Sequence, residues 1–345
     1  MNKKILIIGG GPAGMTAAIF AARAGASVSI LEHGNDVGRK ILSTGGGRCN
    51  LTNERIGQDD PSSFYVMSDS ADKEFCGKSI RLFGLSRTKE FFASIGLVTV
   101  SKDGYLYPRS LSAASVRQLL IDGCRAEDVS FITDAHVLSI HHLTLKNGEL
   151  VDRKKRSAFL CKTVDAEYTS DAVILACGGI AAPVTGSDGS GLKLAKTLGL
   201  TVRDPLPALL PLKGDRRLYR ALAGLRIHGK VSLFADGKYM ICDTGELQFT
   251  EQFVSGIPVF NVSAAAVRAM HEGRSVSLVL DLLPEFREKE LIKKLFSSNA
   301  EKRMLHTALN GLLPEKACAH FLKLSGLADQ GGSTLAEIGD RKSVV

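Results

Sequence analysis

The sequence predicts an α/β fold: a Rossmann-like dinucleotide-binding domain first, then a small inserted antiparallel barrel or sandwich and a helical subdomain. Three observations predict it. A G-x-G-x-x-G turn near the amino terminus sits between an apolar run and a small-residue helix. A second apolar run, Ala172 to Cys177, closes on Gly178-Gly179. After Asp204-Pro205-Leu206-Pro207 the chain changes to short β-like runs separated by turn residues, then to amphipathic segments. The first two features belong to a parallel sheet whose carboxyl-end crevice takes a ligand. Boundaries follow at 1–203, 204–281 and 282–330, with a polar, weakly patterned tail over 331–345.

Lys4 to Ile8 is the first strand, and Gly9-Gly10-Gly11-Pro12-Ala13-Gly14 follows at once. Met15 to Ala24 reads as helix, and Val28 to Leu31 as a second strand closed by Glu32. Glu32 lies 18 residues past Gly14, close to the roughly 20 of a dinucleotide fingerprint. Each residue type has a mechanical role. Gly9 permits the tight turn, Gly11 lets backbone approach a diphosphate, and Gly14 lets helix and strand pack closely. The free N–H groups and positive end of the helix face the phosphates. Glu32 can accept hydrogen bonds from a ribose 2′-OH and repels a 2′-phosphate. Glycines also gather in ordinary turns, but here strand, helix and terminal acid all fit. The fingerprint alone does not separate FAD from NAD.

A second glycine-rich block runs from Gly38 to Asn53. Gly45-Gly46-Gly47 leaves backbone N–H groups bare, able to form an anion-cradling nest. Arg39, Lys40 and Arg48 add positive charge, and Asn50 and Asn53 add amide donors and acceptors. A flexible surface loop would more often be Ser/Asp-rich and lack the flanking arginines, so a ligand loop is expected.

Phe64 to Ile95 reads as mostly helical, broken at Gly77 and Gly84. Val98 to Tyr107 reads as strand with a turn at Lys102-Asp103-Gly104, and Ser112 to Gly123 as a capped helix. His136 to Ile140 and Thr144-Leu145 are expected to pair around Lys146-Asn147-Gly148. Asp171 to Cys177 reads as a buried parallel strand. Thr185 to Gly191 is glycine-rich and opens a helix, Leu192 to Leu198, but no strand immediately precedes it, so a second nicotinamide-binding domain is not expected. Beyond Asp204, Arg226 to Phe234, Tyr239 to Cys242, Gln248-Phe249 and Ser275 to Leu280 read as strands. Glu285 to Phe296, Ala300 to Leu312 and Pro314 to Leu324 read as helices.

Composition narrows the classes. The chain has 345 residues, 44% hydrophobic and 23% charged, ordinary for a globular protein. No apolar run reaches the ~18 residues of a membrane span. Met1-Asn2-Lys3-Lys4 runs straight into the first strand without a signal-peptide pattern, so a cytoplasmic location is expected. Seven cysteines are scattered without a C-x-x-C pair, which argues for reduced thiols and against a zinc site. His141-His142 point to opposite faces of a strand, so no metal site is expected. The net charge of +8 suits anionic cofactors as well as nucleic acid. The densest basic run, Arg153-Lys154-Lys155-Arg156, lacks interleaved aromatics and reads as a solvated loop rather than a nucleic-acid patch.

Taken in order, Gly9 to Gly14, Gly38 to Asn53, Ala172 to Gly179, Pro207 to Leu212, and Gly245 to Thr250 with Ser255 to Pro258 resemble one family. That family is the bacterial NAD(P)/FAD-dependent oxidoreductases of the aminoacetone-oxidase-like type, which includes flavin-dependent reductases of unsaturated bile-acid intermediates. The likeness covers nearly all of residues 1–330, and Gly45-Gly46-Gly47-Arg48-Cys49-Asn50 is its most specific element. It implies FAD, with Gly11 to Gly14 at the diphosphate and Glu32 at the adenosine ribose. Gly47, Arg48, Cys49 and Asn50 would lie along the diphosphate and flavin, Val137 by the adenine, and Ala176, Cys177, Gly178 and Gly179 over the phosphate side. Gly9, Pro12, Ala13, His33, Arg39, Lys40 and Gly46 complete the expected cofactor-binding set. The family's insert is a β-barrel-like cap with a helical subdomain. Its members also continue into a final strand and helix that touch the flavin; Ile338 to Val345 do not resemble that motif, so an exposed sheet edge and an open pocket are expected.

The resemblance implies hydride transfer from NAD(P)H, docking transiently, through flavin to a small unsaturated or carbonyl-containing organic substrate. Arg48 and the glycine nest would stabilise charge developing on reduced flavin. Cys49 has no C-x-x-C partner or adjacent His, so a packing or flavin-neighbour role is expected. No Ser-His-Asp or paired-carboxylate set stands out, and Tyr105 and Tyr107 are only guesses for a proton donor. Two alternatives stay open: a flavin-binding module acting on tRNA, and a truncated, inactive flavoprotein.

Overall fold

A computed structural model describes residues 2–57, 65, 70–143, 158–286, 290, 304–327 and 334. Two compact units divide the chain, Met1–Pro205 and Leu206–Val345.

In the first unit, β1 (Lys4–Ile8) runs through the glycine turn into α1 (Pro12–Arg23) and returns as β2 (Ser27–Leu31). A 3-10 segment, Arg39–Gly47, leads into the short β3 (Thr52–Asn53). Helices α2 (Ser70–Leu82) and α3 (Leu85–Ser94) precede the hairpin of β4 (Thr99–Lys102) and β5 (Tyr105–Pro108). Then come α4 (Ala113–Ala126), β6 (Ser130–Ile132), β7 (Ser139–Leu143), β8 (Ala158–Lys162), β9 (Glu167–Ser170), β10 (Ala172–Leu175) and α5 (Ser190–Thr197).

The central sheet has the order β10-β1-β2-β6 and is parallel throughout. Alternation of side chains across a strand divides its residues between two cores. Ile7, Val28 and Ile30 face α1 and α4, packing with Met15, Ile19 and Leu120. Leu6, Ile8 and Leu31 face the other side, with Val137, Ile140, Cys161 and Leu194. Both faces are therefore covered, as a parallel sheet requires. Ser112 caps α4 by accepting a hydrogen bond from the Ser115 N–H.

Several expectations are corrected. Gly77 lies inside α2, and the helical break falls only at Gly84, the N-cap of α3; the helix runs through a residue that costs it about 1 kcal/mol. Among the described residues, β10 is an edge strand with four half-buried side chains, not a fully buried one. β7 pairs with β8; the expected hairpin turn at Lys146 to Gly148, and the basic run 153–156, lie outside the described residues.

The second unit opens with β11 (Leu212–Lys213) and α6 (Arg216–Leu222). The expected strands over 226–249 become two long ones, β12 (Arg226–Ala235) and β13 (Lys238–Phe249), joined at Asp236-Gly237. β14 (Phe253–Ser255), α7 (Ile257–His271) and β15 (Val276–Asp281) follow, then α8 (Leu305–Asn310) and α9 (Glu315–Leu324). The strands form one antiparallel sheet, order β11-β14-β13-β12-β15. Val231, Leu233, Leu247 and Phe249 pack beneath Val259 and Val262 of α7 and Tyr219 and Leu222 of α6. Most of the segments read as helices over 285–303, and all of the tail except Thr334, lie outside the described residues.

Candidate functional site

The first unit holds a cavity of about 510 Å³ at the carboxyl ends of β1, β2 and β10, the size of a small-molecule or cofactor site. Its position follows from topology: parallel strands deliver their loops to one edge. Gly9 has φ +108°, and a Cβ there would sit 2.6 Å from the Ala176 carbonyl oxygen. A Cβ on Gly14 would lie 2.0 Å from the Gly9 carbonyl oxygen. These two glycines let turn, helix and β10 close on one another. Gly11 differs: a Cβ there would meet nothing within 4 Å, so its bare backbone faces open space. It is the N-cap of α1, without a side-chain cap and with no acid in the first helical turn. The unsatisfied N–H groups and positive helix end are thus left for an anion.

Glu32 stands where β2 ends. Its Oε2 accepts the Gly10 N–H at 2.7 Å and its Oε1 the Gly34 N–H at 2.9 Å. His33 Nδ1 lies 3.1 Å from Oε1. A carboxylate has about four lone-pair sites, so ribose hydroxyls can still be accepted. Arg39 donates to the Val184 carbonyl at 3.4 Å, and Lys40 to the Ala181 carbonyl at 2.8 Å and to Ser187 Oγ. Neither cation has a carboxylate within 4.0 Å among the described residues. Two positive charges on the wall of one cavity, both held only by neutral oxygens, suit an anionic ligand.

Of the sequence-predicted residues, Gly9, Gly11, Pro12, Ala13, Glu32, His33, Arg39, Lys40, Val137, Ala176, Cys177 and Gly178 line this cavity. The others do not. Gly14 lies buried behind the turn. Gly46, Gly47, Arg48 and Gly179 are exposed away from the lining. Asn50 donates to the carbonyls of Leu106 and Thr52, tying its segment to β5. Cys49 is buried in the core with Met15 and Ile41, and burial pushes its thiol up. Burial likewise pushes Cys177 up to about 11, so both are poor nucleophiles at neutral pH.

Sequence reasoning missed Ser187, Thr185 and His136 on the wall, and the support from Arg117, whose guanidinium donates to the Val37 carbonyl at 2.7 Å and pairs with Asp36. The glycine-rich Thr185 to Gly191 stretch was the available signal for Ser187; nothing local announces Arg117. Among the described residues no cluster of three metal-ligating side chains occurs, and no helix is long and apolar enough to cross a membrane.

Residues 3–342 match the model of the HI0933-like protein Rossmann domain. The chain belongs to that family. The HI0933-like family is FAD-dependent, and this member is an enzyme of the oxidoreductase class. A 3-dehydro-bile acid delta(4,6)-reductase of Clostridium scindens is 40% identical over 332 residues, 94% of this chain and 76% of that one. A ribosomal RNA dihydrouridine synthase of Haemophilus influenzae is 24% identical over 336 residues, 96% of this chain and 77% of that one. The crystal structure of THI4 from Thermovibrio ammonificans overlaps with a TM-score of 0.36 at 14% identity, covering 60% of this chain and 64% of that one. The glycine cradle, the open Gly11 backbone and the acid-free cations fit an FAD diphosphate.

Proposed function

We propose that this HI0933-like protein is a reductase that uses NAD(P)H to saturate a double bond of a small unsaturated or carbonyl-containing organic molecule. The observation that carries the reading is 40% identity, sustained over 94% of the chain, to a delta(4,6)-reductase. FAD, when bound, would supply the hydride chemistry between nicotinamide and substrate. The chain's own groups hold it. The N–H groups at the start of α1 take the diphosphate, with Arg39 and Lys40 offsetting its charge. Glu32 takes the adenosine ribose, and the segment Ala135 to Val137 takes the adenine. Cytoplasmic location suits a nicotinamide-dependent enzyme.

A second substrate class has a specific observation behind it. The Haemophilus influenzae relative acts, by its name, on ribosomal RNA, and this chain carries a net charge of +8. Dihydrouridine is uridine with one ring double bond saturated, so both relatives' names describe the same bond change on different molecules. The small-molecule class is favoured because 40% identity exceeds 24% over nearly the same span.

One experiment separates these readings. The purified protein should carry a flavin spectrum, or gain one with added FAD, and bleach anaerobically with NADH or NADPH. The reduced protein should then be reoxidised by a 3-oxo-4,6-diene steroid and not by unmodified ribosomal RNA. Reoxidation by the RNA alone, with dihydrouridine formed, would transfer the proposal to nucleic acid. Protein that stays colourless with FAD would end it.

A further inference from the structure

Between β10 and α5 the chain makes a ten-residue excursion, 178–187, whose ends, Gly178 and Thr185 to Ser187, line the cavity. Residues 178 to 184 are all exposed although most are apolar; Val184 is 87% exposed. Packing therefore does not hold this loop. Three hydrogen bonds from the Arg39–Gly47 segment do: Lys40 to the Ala181 carbonyl and to Ser187 Oγ, and Arg39 to the Val184 carbonyl. Ser187 is only 6% exposed, so the Lys40 bond to it is sheltered from water. The loop's two ends lie together, since a Cβ on Gly178 would come within 3.9 Å of Ser187 Oγ. Gly178 at φ +74° and Gly186 at φ +99° stand at those ends. Closed ends, self-contained course and pliable termini are the features of an Ω-loop that moves as a body.

We propose that residues 178–187 are a lid on the dinucleotide cavity and that Lys40 is its latch. Lys40 is then a positioning residue. An ammonium has three N–H donors. Two are given to the lid, which leaves one for an anion inside. Closing the lid orders the cation that meets the diphosphate, and the diphosphate in turn fixes the cation that holds the lid. By linkage each state favours the other. The ligand named here rests on the FAD reading above; the latch itself does not.

The test uses the full chain, with and without FAD, and the variants Lys40→Met and Ser187→Ala. The second removes a latch bond and keeps the charge. Limited proteolysis of the FAD-free protein, with cleavage sites mapped by mass spectrometry, reports the lid directly. Ser187→Ala should raise cleavage within 178–187 by roughly tenfold, the scale of one lost charge-assisted hydrogen bond, and Lys40→Met, which loses two, by more, with other sites unchanged. FAD should protect the lid of the parent protein, and both variants should release FAD faster after dilution. If Ser187→Ala is cut within 178–187 at the parent rate and releases FAD at the parent rate, Lys40 is no latch and the proposal falls. Should Lys40→Met fail to fold, Ser187→Ala decides alone. A parent protein that binds no FAD would overturn the function proposed above, while FAD-free proteolysis would still decide the latch.

Discussion

Gly11→Ala isolates the cradle from the fold. Gly11 has φ −76° and ψ −177°, extended backbone that alanine adopts freely. A methyl group there meets no protein atom within 4 Å. The FAD-free protein should therefore lose less than about 1 kcal/mol, the difference between glycine and alanine at an N-cap. Binding is another matter, because the methyl projects where a phosphate oxygen would approach the backbone. Displacing the diphosphate from one or two N–H donors removes hydrogen bonds worth ~1.5–3 kcal/mol each to a charged group. FAD affinity should fall on the order of a hundredfold. Gly14→Ala is the counterpart: its Cβ would sit 2.0 Å from the Gly9 carbonyl oxygen, so α1 must move by about 1 Å and the FAD-free protein should lose ~1–3 kcal/mol. Denaturant unfolding of the FAD-free proteins and fluorescence titration with FAD give both numbers. If Gly11→Ala binds FAD within a factor of about three of the parent protein, the backbone there does not approach a phosphate and the cradle argument is wrong.

Glu32→Gln should destabilise the FAD-free protein by ~1–3 kcal/mol in denaturant unfolding, because one amide oxygen cannot accept both the Gly10 and Gly34 N–H groups; unchanged stability would mean those bonds are dispensable. Burial pushes Cys124 up to about 12 and Cys161 and Cys177 up to about 11, so iodoacetamide at neutral pH should label the half-buried Cys76 and Cys242 first, as peptide mapping would show; early labelling of Cys177 would contradict the burial that raises its thiol. The Arg274 guanidinium and the Ser275 N–H hold the Asp236 carboxyl below its ordinary range. A depressed folded-state pKa means its stabilisation is present above the unfolded carboxylate's pKa and lost as pH falls through the depressed value. Asp236→Asn should therefore lower the melting temperature at neutral pH, and the gap to the parent should shrink in acid.

What the sequence made legible was the backbone chemistry of the cradle. Closing a strand onto a helix while leaving amides bare demands small residues at fixed positions, so Gly9, Gly11 and Gly14 announce their roles in order. The acid at the end of β2 follows from the same local geometry, and the unbroken apolar run of Ile5 to Ile8 matches a strand buried on both faces. The Gly38 to Asn53 block reads as one continuous ligand loop, yet the chain folds Arg39–Gly47 as a 3-10 segment with a kink. Arg39 and Lys40 come to the cavity wall, while Cys49 turns into the core and Asn50 turns to β5. No spacing rule could have divided that block, because the division is made by distant partners. Lys40 meets Ser187 147 residues away, and Arg117 reaches Asp36 across 81. Motif reasoning thus recovers the groups that must be small, and it is weakest for charged side chains, whose reach lets the fold choose their partners. Lys40, which reaches the Ala181 carbonyl and Ser187 from the cavity wall, belongs to the second kind.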